Sequence, residues 1–429
     1  MTDVFYRAPA SSYPEVSHGE GIYLWDVRGR RYLDGASGAL VANLGHGRRE
    51  IAEAMGSQAA KVAFAHTMRF TSAAQEELAA RVARLLPYGL RYTYPVSGGS
   101  EATETAIKLV RQYFLEIGQP QRFRILARWA SYHGNSLGAL SASGHLTRRR
   151  PYDPLLSPAF SHFPPPDPGC PGPDADGECA CMQALRATIE QVGPEAVAAI
   201  IMEPVGGSAN SGLVPHPGYM QAVARIARSY GILLIADEVM TGFGRTGAIL
   251  GMSHFDAAPD LITCAKGLSG GYAPLGAVIA GERVYTAIRN GSGRFAHGFT
   301  YGGHPVACAA GAKALEILER EGLVDNARQM GDVLRAGLEQ LAARHRVVRA
   351  VRGLGLMQGL VLEQDPKPGA RAARLADLAF ENGLIVYAGS GGPEGTSGDH
   401  VLIAPPLIID RQGIAELLDL LDQVLTRVA

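Results

Sequence analysis

The chain has 429 residues, 47% of them hydrophobic, with 40 Lys and Arg against 41 Asp and Glu. That length and apolar content support a large buried core in two domains, and the balanced charge excludes the basic footprint of a nucleic-acid or anionic-membrane partner. No apolar run reaches the roughly 18 to 20 residues a membrane helix needs, and MTDVFYRAPASSYPE lacks the basic-then-apolar order of a secretory signal, so a cytoplasmic protein is expected.

In chain order, GIYLWDVRGRRYLDGASGALVANLGHG predicts a small β-rich segment with turns at Arg28-Gly29 and Asp34-Gly35. From about residue 90 to 282, short β-rich runs such as RYTYPVSGG, AVAAIIMEPVGG, ILLIADEVMTG and LITCAKG alternate with helical patterns such as EATETAIKLVRQYF and PGYMQAVARIARSYG. This alternation predicts an α/β domain with a mostly parallel central sheet. Within it lies HFPPPDPGCPGPDADGECACM, where Cys170, Cys179 and Cys181 follow His162. A zinc site usually takes four ligands with regular two-to-four-residue cysteine spacings. This set is irregular, so a Pro/Gly-rich surface loop with no metal is expected.

Beyond residue 305 the chain is strongly helical to about 345, and VRAVRGLGLMQGLVLE, GLIVYAG and HVLIAPPLII supply further strands of a smaller α/β domain. The expected boundaries are an N-terminal segment, 1–57, contributing to the small domain, a large domain over 58–310, and a C-terminal small domain over 311–429. The loop AGSGGPEGTSGDH, 388–400, is expected to be a mobile rim of the site.

Open α/β sheets place ligands at the carboxyl ends of their strands, so polar residues that end strands matter most. Gly98, Gly99 and Ser100 stand between a strand and a helix, where bare amides, a hydroxyl and the helix dipole suit a phosphate. Asp237 ends the apolar run ILLIAD and needs a cationic or N–H partner, met either by a protonated ring nitrogen or by a structural arginine. Lys266 ends the next run, LITCAK. Such an amine, partly withdrawn from water, is either a nucleophile toward carbonyls and a base, or a snorkelling strand-end lysine. An Asp and a Lys on adjacent strands, with a phosphate cradle upstream, describe a site for an aldehyde-bearing pyridine phosphate.

Eight stretches in order now carry a family resemblance: GEGIYLWDVRGRRYLDGASG with GHGR, SGGSEATETAIKLVR, SYHGNSLGAL, MEPVGG, ADEVMTGFGRTG, AKGLSGGYAPLGAV, FTYGGHPVACAAG and HVLIAPPLII. The chain resembles the class III aminotransferases, pyridoxal-phosphate (PLP) enzymes of fold type I. The resemblance implies that Lys266 forms the covalent link to the cofactor and shuttles a proton, and that Asp237 keeps the pyridine nitrogen protonated. It implies Val239 on one ring face and Tyr132 on the other with His133 beside it, and Gly99 and Ser100 on the phosphate. Thr300 would reach the phosphate of a neighbouring subunit, making a homodimer the minimum assembly, with a tetramer open. Glu203 matches a family acid near the substrate, or serves as a structural acid at a strand end, and Arg245 is expected to shape its loop.

The implied reaction moves an amino group from a small-molecule donor to a 2-oxo acid in two half-reactions. Three positions depart from family patterns. Leu402 stands where members acting on α-amino acids or 4-aminobutyrate carry an arginine before APPL, and Leu40 and Tyr387 stand where amine–pyruvate members carry a tryptophan and an arginine. An ω-type aminotransferase using pyruvate is expected, with a racemase, aminomutase or decarboxylase on the same scaffold, or a non-catalytic cofactor-binding protein, as the rivals.

Overall fold

The computed structural model describes residues 3–167, 169–174, 177–367, 369–390 and 399–428. At its centre is a seven-stranded sheet in the spatial order Leu90–Val96, Gly276–Gly281, Leu261–Cys264, Leu233–Asp237, Val197–Met202, Arg124–Arg128 and Phe160–Phe163. The last five are mutually parallel. Gly276–Gly281 runs antiparallel to both of its neighbours, the one departure from parallel pairing in the sheet. The α/β class read from the sequence therefore holds.

The strands Val197–Met202, Leu233–Asp237 and Leu261–Cys264 are buried at every position because helices cover both faces. Alternation along each strand sorts the side chains. Ile201 and Ile235 pack in one core with Val110 and Phe114 of the helix Gly99–Glu116. Met202, Leu234 and Ala236 pack in the other, with Val223 and Ile226 of the helix Tyr219–Ser229. Truncating any one of these large side chains to alanine costs about 2–5 kcal/mol.

Two four-stranded sheets flank this centre. Val16–Glu20, Tyr23–Asp26 and Arg31–Asp34 form the N-terminal one, and Leu384–Ile385 joins it in parallel, pairing Leu384 with Leu33. Its turns fall where expected: Asp26 Oδ1 accepts the amides of Arg28 and Arg30, and Asp34 Oδ1 accepts those of Ala36 and Gly38. The other sheet runs Val348–Leu354, Met357–Leu362, Asp399–Ile403 and Tyr387–Ser390. No described helix is long and apolar enough to cross a membrane.

Three local expectations are corrected. GLIVYAG is two strands, broken at Val386 and paired into different sheets. His162 and Phe163, read as part of the Pro/Gly-rich loop, end the edge strand Phe160–Phe163 beside Arg124–Arg128; the prolines come only after the last paired residue. Lys266 stands two residues past its strand, at the start of a 3₁₀ turn, Lys266–Leu268. The 391–398 portion of the expected rim loop lies outside the described residues.

Candidate active site

The carboxyl ends of four parallel strands converge on one pocket. Arg124–Arg128 leads through a turn to Tyr132 and His133, Val197–Met202 to Glu203, Leu233–Asp237 ends on Asp237, and Leu261–Cys264 leads to Lys266. Gly99, Ser100 and Val239 complete the wall. Asp237 and Lys266 come from neighbouring strands, with Asp237 opposite Thr263 in register. Of the site residues read from the sequence, Gly99, Ser100, Tyr132, His133, Glu203, Asp237, Val239 and Lys266 line this pocket, whereas Thr300 does not.

Lys266 is held at φ 45°, a left-handed conformation that costs a non-glycine residue about 1–2 kcal/mol. Its carbonyl accepts the amides of Ser269 and Gly270 at 3.2 and 3.0 Å, which fixes the turn. A Cβ on Gly267 would sit 2.3 Å from Asn43 Nδ2, so only glycine lets the turn close against Asn43. Burial pushes the Lys266 ammonium down to about 8, against the pull of the Asp237 and Glu203 carboxylates.

The Asp237 side chain is oriented from both ends. Oδ2 lies 2.7 Å from His133 Nδ1, and Oδ1 accepts the Val239 amide at 3.1 Å. His133 is itself fixed, its amide donating to Ser143 Oγ at 2.8 Å and its carbonyl accepting from Thr103 Oγ1 at 2.7 Å. His133 was expected merely beside Tyr132. It is instead the buried partner of Asp237.

The helix Gly99–Glu116 points its N-terminus into the pocket, with Gly98 as its cap. A Cβ on Gly98 would meet nothing within 4 Å, whereas one on Gly99 would press Val239 Cγ1 at 3.0 Å. Ser100 Oγ accepts the Asn135 amide at 3.0 Å. Unpaired first-turn amides, a hydroxyl and open space in front of them form an anion cradle. Glu203 is buried, receives the amide of Gly207 at 3.1 Å, and has its carboxyl pushed above the usual range by burial.

Two groups, Arg148 and Glu238, were given no role by sequence reasoning, and the partners of a third, Arg245, were not legible. Arg148 lies 4.4 Å over the Tyr132 ring, reaches Tyr387 Oη at 3.5 Å, and is close enough for its charge to oppose protonation of Lys266. The run TRRR was its only signal. Glu238 turns away into the core, where Thr241 Oγ1 and the amides of Gly251 and Met252 bind it; burial raises its carboxyl to about 7. Arg245 is fully buried and donates to Leu356 O, Pro405 O, Ser37 Oγ and Asn43 Oδ1, with burial lowering its guanidinium to about 9. It shapes its surroundings, as expected, and ties three distant segments together. Thr300 sits exposed in a turn away from the pocket wall.

The profile of the aminotransferase class-III family matches residues 7–425. The chain belongs to the class III aminotransferases. It is therefore a transaminase. It is 36% identical over 98% of its length to the uncharacterized aminotransferase YodT of Bacillus subtilis, covering 96% of that protein. It is 35% identical to the putrescine–pyruvate aminotransferase of Pseudomonas aeruginosa, over 96% of this chain and 91% of that one. A thermostable (S)-enantioselective omega-transaminase from Thermomicrobium roseum superposes with a TM-score of 0.91 at 38% identity, over 99% of this chain and 96% of the other.

Class III aminotransferases depend on PLP. The residues of this transaminase fit that group: an amine with a lowered pKa, a buried carboxylate for a ring nitrogen, and an open amide cradle for a phosphate share one pocket.

Proposed function

We propose that this transaminase moves an amino group from an amine or ω-amino donor to a 2-oxo acid, with pyruvate as acceptor, in two alternating half-reactions. The observation that carries the site assignment is the pairing of Lys266 and Asp237 at the ends of adjacent parallel strands, above the Gly99–Ser100 cradle.

When bound, PLP supplies the electron sink for the carbanion. The chain supplies the rest. Gly99 N–H and Ser100 bind the phosphate, Asp237 keeps the ring nitrogen protonated, and His133 holds Asp237 in position. Tyr132 and Val239 confine the ring between them. Lys266 would be the covalent anchor, and its Nζ, once free, would take the proton from the donor carbon and deliver it to the cofactor within the first half-reaction, moving a proton the opposite way in the second. Its lowered pKa keeps a usable fraction neutral near pH 7.5. Arg148, poised between Tyr132 and Tyr387, binds the acceptor carboxylate.

Support for a donor whose amine need not be α to a carboxylate comes from Leu402. It is fully buried between Gly359 and Tyr387 and offers no charge to a second carboxylate. The omega and putrescine activities named for similar proteins point the same way. Thr300 is proposed to serve a partner's phosphate across a homodimer. Beside it Tyr301, with Phe64, Met68 and Phe70 nearby in sequence or contact, leaves aromatic and apolar surface exposed. Segment 1–57 is proposed to belong with 311–429 in one small domain, supported by the pairing of Leu33 with Leu384.

A panel of amino donors with pyruvate, oxaloacetate and 2-oxoglutarate, read by cofactor absorbance, tests the proposal. Turnover confined to α-amino acids would sink the donor assignment, and amino-acid racemisation without any oxo acid would favour the rival chemistry.

A further inference from the structure

Away from the pocket, Cys170, Cys179, Cys181 and His216 present three sulfurs and a ring nitrogen that all lie within 4.8 Å of one another. The irregular cysteine spacing counted against a metal, and the histidine nearest in sequence is His162. In the fold His162 stacks on Trp129 at 4.3 Å and its Nε2 lies 3.1 Å from Ala142 O, so it is committed elsewhere. The fourth group is His216, from a segment 35 residues beyond Cys181. We propose that these four residues bind one zinc ion in a closed Cys₃His site that fastens the Pro-rich stretch to the body of the protein.

The local geometry is built for such a site. Asp174 N donates to Glu178 O at 2.9 Å and Glu178 N to Asp174 Oδ1 at 2.8 Å, closing a turn that brings Cys179 back toward Cys170. Cys179 stands at the N-cap of the helix Ala180–Val192 and Cys181 in its first turn, so one short segment positions two of the three sulfurs. Cys170 N donates to Asp167 O at 3.0 Å, and Asp167 N points back to Cys181 Sγ at 3.4 Å, the kind of amide contact that supports a metal-bound sulfur. Gly172, at φ 101°, lets the loop pass close to His216; a Cβ there would lie 3.1 Å from Pro217 O.

His216 supplies an independent sign. Its Nδ1 lies 3.4 Å from Pro217 O, which suits a proton on Nδ1, and its Nε2 is buried without a hydrogen-bond partner. A buried ring nitrogen with a lone pair and no donor is a ligand lacking its metal-side bond.

Size and chemistry select the ion. A tetrahedral site with Zn–S near 2.3 Å has ligand atoms about 3.8 Å apart, so the observed spread needs only a small contraction. Three sulfurs and an imidazole with no carboxylate disfavour calcium and magnesium and suit a thiophilic divalent ion. Binding takes up Zn²⁺ and releases the three thiol protons to solvent, leaving a net charge of −1 on the site. A disulfide, in contrast, would use two sulfurs and leave the third and His216 unexplained.

The test is metal analysis of the PLP-loaded protein purified under reducing conditions without chelator. About one zinc per chain is expected. Cys170→Ser and Cys181→Ser each should drop zinc at least tenfold, while His162→Ala retains it. Cofactor absorbance at Lys266 reports that each variant is folded. Should the variants not fold, Co²⁺ exchanged into the wild-type protein gives the same answer through sulfur-to-metal charge-transfer bands and tetrahedral d–d bands, lost on treatment with an organomercurial. Wild-type protein that takes up no zinc or cobalt when reduced, zinc retained in Cys170→Ser/Cys181→Ser, or a disulfide among these cysteines in protein purified without oxidant would each overturn the proposal.

Discussion

In the cofactor-free protein, Lys266 should capture an aldehyde far faster near neutrality than an ordinary lysine. With its amine at about 8, roughly a quarter of Lys266 is neutral at pH 7.5, against about one part in a thousand for a lysine near 10.5, a gain of about 200-fold in nucleophile. Pyridoxal is the cleaner probe because it carries no titrating phosphate. Stopped-flow absorbance from pH 6 to 10 should show the capture rate climbing about tenfold per pH unit and levelling near pH 8. The Asp237 carboxylate works to keep the ammonium charged, so Asp237→Asn should move the midpoint lower. A midpoint near that of free lysine would refute burial as the cause of the lowered pKa, and one that rises in Asp237→Asn would refute the carboxylate's opposing pull.

The same burial affects stability. Lys266 holds its proton in the unfolded chain up to about 10.5 but in the folded chain only to about 8, so the unfolded state binds more protons between those values. Stability of the cofactor-free protein should therefore rise with pH across that window, and Lys266→Met should stabilise it at pH 7 by up to about 3 kcal/mol in denaturant melts while abolishing transamination. His133→Phe removes a buried 2.7 Å contact to Asp237 and should lower kcat about 10- to 150-fold with donor KM nearly unchanged. Arg148→Ala should raise KM for the oxo acid about 10- to 150-fold and leave the donor half-reaction, followed in single turnover, within a few-fold. Arg245→Met leaves four buried acceptors without their donor and should cost about 3–5 kcal/mol by thermal melt.

What the sequence made legible was what the chain encodes locally. Asp237 at the end of an apolar run and Gly98-Gly99-Ser100 between a strand and a helix each announce themselves within about ten residues, because strand, turn and helix signals are short-range. Lys266 was legible in identity and missed in conformation: its left-handed φ belongs to a turn whose Gly267 packs against Asn43, more than two hundred positions earlier. Pairings across the fold left no local trace. His133 meets Asp237 from 104 positions away and Arg148 meets Tyr387 from 239. Likewise the nearest histidine in sequence to the cysteines was the wrong one in space. The edge strand Phe160–Phe163 was hidden by the prolines that follow it.

The parallel pairing of Leu33 with Leu384 also sets a timetable for the growing chain. At roughly 5–20 residues per second, about 20 to 70 s of synthesis separate the emergence of these two residues. Throughout that interval the strand Arg31–Asp34 has a bare edge, and Ser37 and Asn43 wait for the carbonyl of Pro405 to complete their shared arrangement around Arg245. The turn at Lys266 packs on Asn43, so the full set of contacts around it is complete only when Pro405 has been made.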